Sequence, residues 1–92
     1  MDKEVSGVYI CDLLSFAMGG ASAGSAWITI MSNINVIAVA HLRNVACVVI
    51  AHGVQIEQKV VEKANELALP IFLSSLPAFE CGQAIAKKQA LG

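Results

Sequence analysis

Charge is scarce in this chain: only 14% of its 92 residues are Asp, Glu, Lys or Arg, and they sum to a formal net charge of -1. Proteins that grip nucleic acid through its phosphates need a basic field. Here the six Lys and Arg form no cluster beyond Lys87-Lys88, which argues against nucleic acid as a partner. Cysteine is equally sparse. Cys11, Cys47 and Cys81 are odd in number and widely spaced, with no Cys-x-x-Cys pair, which excludes a disulfide framework and a structural zinc site. Reduced thiols and a cytoplasmic setting are the simplest reading. Long hydrophobic runs are also missing. The apolar run at Ala46 to Ala51 is far short of the roughly 18 to 20 residues a membrane span needs. Residues 34 to 51 are further interrupted by Asn35, His41, Arg43 and Asn44, and the start, Met1-Asp2-Lys3-Glu4, does not read as a secretion signal.

What is abundant is apolar side chain, at 57%. A chain of this size forms one domain, residues 1–92, and buries only about 60 to 65% of the surface it exposes when unfolded. Two covers for the excess remain once a membrane is set aside: a sheet buried on both faces, and a second subunit.

Short apolar runs alternate with helical segments along the chain. Gly7 to Cys11 predicts a first strand, closed by Asp12, with a turn or short helix from Asp12 to Met18 after it. Gly19 to Gly24 reads as a loop, since it matches neither the Gly-x-Gly-x-x-Gly nor the P-loop spacing for phosphate. Ala26 to Met31 is β-branched and aromatic enough for a second strand. Ile34 to Val45 is read as a helix, and Ala46 to Ala51 as a third strand. Gln55 to Leu69 carries a clear amphipathic pattern, with Ile56, Val60, Ala64 and Leu67 on one stripe and Glu57, Lys59, Glu62, Lys63 and Glu66 mostly on the other. Ile71 to Leu73 supplies the fourth strand, and a last helix follows over about residues 78 to 89. The order βαβαβαβα predicts a single three-layer α/β/α domain on a mostly parallel four-stranded sheet with right-handed connections. Runs such as Cys47-Val48-Val49-Ile50 fit strands covered on both faces. The nearly all-apolar segment Ile34 to Leu42 remains unexplained by that arrangement and points to a second copy of the domain.

Open parallel sheets bind ligands beyond the carboxyl ends of their strands. The polar residues expected there are Asp12, Ser32, Asn33, His52, Gly53, Ser74 and Ser75. Ser32-Asn33 and Ser74-Ser75 precede helices, whose free N–H groups suit a phosphate or carboxylate, although capping the helix alone explains such residues. His52 is the better placed of the two histidines. Neither it nor His41 stands at a spacing that suggests a triad or a metal site. No Gly-x-Ser-x-Gly elbow surrounds Ser74 and Ser75, and Glu57, Glu62 and Glu66 belong to a solvated helix face. Trp27 and Phe79 read as core or interface aromatics. No catalytic set, metal or cofactor is expected.

The stretches Gly7-Val8-Tyr9-Ile10-Cys11-Asp12-Leu13-Leu14-Ser15, Ala26-Trp27-Ile28-Thr29, Asn35-Val36-Ile37-Ala38-Val39-Ala40 and Leu69-Pro70-Ile71-Phe72-Leu73-Ser74, in that order, resemble the DRTGG domain family from about residue 5 to about residue 86. The name-giving Asp-Arg-Thr-Gly-Gly string itself is absent. The resemblance implies a fold similar to the N-terminal domain of HPr kinase. It also implies a regulatory or oligomerising role, as in members fused to CBS domains of pyrophosphatases or to phosphotransacetylases, while stand-alone members occur near iron-only hydrogenase genes. The resulting expectation is a non-catalytic accessory domain in metabolic regulation, forming a homodimer or meeting another protein. The alternative is a domain that binds a nucleotide or other anion at its strand ends.

Overall fold

The computed structural model describes residues 5–91, with side chains through Lys87. Its elements are β1 (Gly7–Ile10), α1 (Leu14–Gly20), β2 (Ser25–Thr29), α2 (Ile34–Leu42), β3 (Cys47–Ile50), α3 (Gln58–Glu66), β4 (Ile71–Leu73) and α4 (Ala78–Leu91). The four strands form one parallel sheet in the order β1-β2-β3-β4. The predicted α/β class and element order hold.

That order fixes the layers. Each crossover moves one strand along in the same direction, and right-handed crossovers then place every connecting helix on one side of the sheet. Accordingly α1 neighbours α2 and α2 neighbours α3, while α4, free of any further strand, packs on β1 and β2. Strand alternation sorts the side chains between the two sides. Trp27, Val48 and Ile50 join Val36, Ile37, Ala40, Val60 and Ala64 in one core. Ala26, Ile28, Cys47 and Val49 join Cys81 in the other, with Val8, Ala78 and Ile85 packed against it. The central strands β2 and β3 are buried throughout, as the apolar runs Ala26-Trp27-Ile28 and Cys47-Val48-Val49-Ile50 require.

Several boundaries differ from the sequence reading. Helix α1 runs through Gly19 and Gly20 instead of stopping before them. A Cβ at Gly20 would lie 2.7 Å from the Tyr9 hydroxyl oxygen, so the absent side chain makes room for the ring of β1. Helix α2 ends at Leu42 rather than Val45, and α3 spans Gln58–Glu66 rather than residues 55 to 69. The apolarity of α2 is also largely accounted for within the domain: Val36, Ile37, Val39 and Ala40 are buried, which leaves Ile34, Ala38 and Leu42 on its outer face.

Candidate functional site at the strand ends

The seven polar residues expected beyond the strands fall into two groups. At the exits of β1 and β2, Asp12 Oδ1 accepts hydrogen bonds from the Thr29 hydroxyl at 2.8 Å and from the Ile30 N–H at 2.9 Å. Thr29 Oγ1 in turn accepts from the Met31 N–H at 3.1 Å. Just before Asp12, the Cys11 carbonyl accepts from the indole N–H of Trp27 at 3.0 Å. Asp12 therefore stitches the end of β1 to the turn leaving β2. Asn33 is the N-cap of α2, its side chain accepting from the Asn35 N–H at 2.9 Å, and Ser32 sits half-buried beside it.

At the exits of β3 and β4 the loops are tied to each other. The His52 N–H donates to the Leu76 carbonyl and the Gly53 N–H to the Ser74 carbonyl, both at 2.8 Å. His52 Nε2 accepts from the Ala78 N–H at 3.3 Å, at the first residue of α4, so the imidazole satisfies a helix donor. His52 and Gly53 both adopt left-handed backbone angles, φ 61° and 71°, which makes this a tight turn that Gly53 eases. Ser74 Oγ accepts from the Leu76 N–H at 3.1 Å, a local serine turn, and Ser75 lies exposed at the bend. The Ala51 N–H, donating to the Thr29 carbonyl at 2.9 Å, links the two groups.

Five of the seven expected residues, Asp12, Asn33, His52, Gly53 and Ser74, thus spend polar groups on the domain's own loops. The strand order adds a second point. Ligand crevices in open parallel sheets open where the strand order reverses and adjacent loops diverge to opposite faces. The order here never reverses among β1 to β4, and neighbouring loops stay side by side. Sequence reasoning missed Thr29, which is fully buried and carries the hydroxyl that orients Asp12. Its signal was a lone Thr inside an otherwise apolar strand, a position where a buried hydroxyl must find a partner.

Electrostatics around the site are muted. Tyr9, on β1, has its phenol raised above its ordinary 10.0, chiefly by loss of water and then by the hydrogen bond and charge of Cys11. Its neutral form is thus favoured in the folded chain, and the stability it adds is complete below pH 10.0 and lost above it. Cys47 and Cys81 are buried and Cys11 is half-buried, and none of the three is in a disulfide. Among the described residues no group of His, Cys, Asp and Glu is placed to hold a metal ion, and no helix is long and apolar enough to cross a membrane.

Replacing Asp12 tests this reading of the strand ends. In Asp12→Ala the buried Thr29 hydroxyl and the Ile30 N–H lose their acceptor, which should cost about 1–3 kcal/mol. Asp12→Asn keeps an acceptor oxygen and should cost less. Urea midpoints of the two variants check the ranking; midpoints equal to that of the unchanged chain would show that the carboxylate does not hold the turn.

These features define a βα-repeat domain wound in one direction, whose strand-end polar groups largely serve its own fold. The model of the DRTGG domain matches residues 4–87, and the chain belongs to the DRTGG domain family. That family is one of regulatory accessory domains, not catalytic by themselves. Comparison with curated proteins finds no match.

Proposed function

We propose that this chain is a cytoplasmic regulatory module that acts by self-association, as a homodimer, and performs no chemistry of its own. The observation that carries the reading is surface apolarity. Leu13 and Leu73 are 59% and 58% exposed, and Phe16 and Phe79 68% and 71%, in a domain whose core is already filled. Large apolar side chains in water mark association where they gather into a patch, and Leu73 adjoins Phe72 on β4, itself 47% exposed. Membership of a regulatory family agrees with a role exercised through contacts. The outer face of α2 supplies less of this surface than its sequence suggested, because four of its nine residues are buried in the domain itself. Binding of an anion at the strand ends draws less support, since Asp12, Asn33, His52, Gly53 and Ser74 are engaged internally.

Sedimentation equilibrium of the chain at micromolar concentration is expected to return twice the monomer mass. A single species of monomer mass over that range would overturn the proposal.

A further inference from the structure

We infer that the second copy joins at the free edge of β4, antiparallel, about a two-fold axis passing beside Phe72, so that the two four-stranded sheets become one. This rests on the homodimer proposed above and assigns its interface.

The backbone makes the first part of the argument. Strand β4 pairs with β3 on one side and, among the described residues, has no strand on the other. The Val48 N–H donates to the Pro70 carbonyl at 3.0 Å, and the Ser74 N–H to the Ile50 carbonyl at 2.9 Å. In a parallel ladder, alternate residues turn both of their polar groups to the same side. Pro70, Phe72 and Ser74 therefore serve β3, and the N–H and C=O of Ile71 and Leu73 point to the open edge. Open edges are templates for another strand and are commonly guarded by shortness, proline, charge, a bulge or a covering segment. Strand β4 is short, three residues after Pro70, but Pro70 faces β3, Ile71, Phe72 and Leu73 carry no charge, and the strand pairs with β3 in regular register.

The side chains make the second part. Phe72 is 47% and Leu73 58% exposed. An open groove of about 350 Å³ runs between α3 and this strand, and its nine lining residues, Val61 and Asn65 of α3 among them, include no charged group. The charged residues of α3, Lys59, Glu62, Lys63 and Glu66, lie outside that lining. An occupant of this surface must be apolar and strand-forming, and the chain's own β4 is both.

Two-fold symmetry makes the fit self-consistent. With the axis at Phe72, Ile71 of each copy faces Leu73 of the other as a hydrogen-bonded pair, and all four outward backbone groups of each strand find partners. Their side chains stay on the α3 side and enter the groove. Phe72 meets its own twin on the opposite face as a non-hydrogen-bonded pair, where Cα atoms approach to about 4.5 Å. No like charges are brought face to face along the strand, which an isologous contact needs.

That short approach supplies the test, because it lies within the Cα separation a disulfide bridges. The full chain carrying Phe72→Cys, oxidised in air, should run as a covalent dimer that reductant dissolves. The unchanged chain and a Leu42→Cys chain, treated alike, should not. In parallel, Phe72→Lys sets two ammonium groups opposite each other and should weaken dimerisation at least tenfold in sedimentation equilibrium, with the far-UV spectrum unchanged. If the unchanged chain is dimeric, Phe72→Cys fails to cross-link and Phe72→Lys stays dimeric, the edge assignment falls and the homodimer stands. A monomeric unchanged chain removes both. Should Phe72→Lys fail to fold, the cross-link alone decides.

Discussion

Trp27→Ala is expected to remove a large part of the stability of this domain. Trp27 is fully buried at the centre of β2, between Tyr9 of β1 and Val48 of β3 in the sheet register. Truncating a buried Trp to Ala costs about 3–5 kcal/mol through lost transfer energy and the cavity left behind. The Cys11 carbonyl loses its indole donor as well, an addition at the low end of about 1–3 kcal/mol because Cys11 is only half-buried and water can reach it. Against a total of about 5–15 kcal/mol for a domain of this kind, the loss is about a quarter or more. The melting temperature should fall by roughly 16–48 °C, at about 4–8 °C per kcal/mol. Trp27→Phe, which keeps an aromatic ring but not the donor, should fall between. The chain has one tryptophan, so the transition is followed by far-UV circular dichroism rather than by indole fluorescence. A Trp27→Ala variant with an unchanged urea midpoint would mean that this side chain is not the centre of the core.

The strands that carry this core were legible because central parallel strands are buried on both faces. Ala26-Trp27-Ile28 and Cys47-Val48-Val49-Ile50 have no polar alternation to hide them. The stripe of α3 was legible for the complementary reason: Val60 and Ala64 point inward while Glu62, Lys63 and Glu66 stay in water.

Helix ends were harder. Helix α2 closes with the Val45 N–H bonded to the Ala40 carbonyl and the Asn44 N–H to that of His41, and α3 closes with Leu69 to Ala64 and Ala68 to Asn65. Both are Schellman closures, which put the residue after the C-cap in the left-handed region and usually place glycine there. Here the residues are Asn44 and Ala68, each at φ 55°, so the usual stop signal is missing and the sequence reads on as helix. Strand order was also hidden. Ile71-Phe72-Leu73 is as apolar as a central strand, yet β4 is an edge. The polar residues of the strand ends could be named from sequence, but their partners could not. Thr29 for Asp12 and Ala78 for His52 are set by register and loop docking, 17 and 26 residues away along the chain.

Gly82→Leu should detach α4 from the sheet, because the helix approaches closer there than a side chain larger than alanine allows. A Cβ on Gly82 would already stand 3.2 Å from Ile10 Cδ1, 3.3 Å from Val8 Cγ1 and 3.4 Å from Ile28 Cδ1. For Gly82→Ala two effects oppose each other: helix propensity favours Ala by about 1 kcal/mol, and the tight contacts take back a similar amount, so little net change is expected. Leucine adds three more carbons with the same small gain in propensity. Overpacking of this kind typically costs about 1–3 kcal/mol where the surroundings can shift. Here they shift little, since β1 and β2 are fixed by their own ladder and by the Asp12 network. The helix is the more movable body, held at its start by the acceptor nitrogen of His52 and along its length by β1 and β2. Lifting it bares Ala26, Ile28, Cys47 and Val49, while the core beneath α1, α2 and α3 remains. The expected result is a loss of about 3 kcal/mol, at the upper end of the overpacking range. It should be accompanied by binding of a hydrophobic dye and faster hydrogen exchange in α4 than in α2. Uniform exchange, or a melt indistinguishable from that of Gly82→Ala, would show that the space above Val8 and Ile28 is not closed.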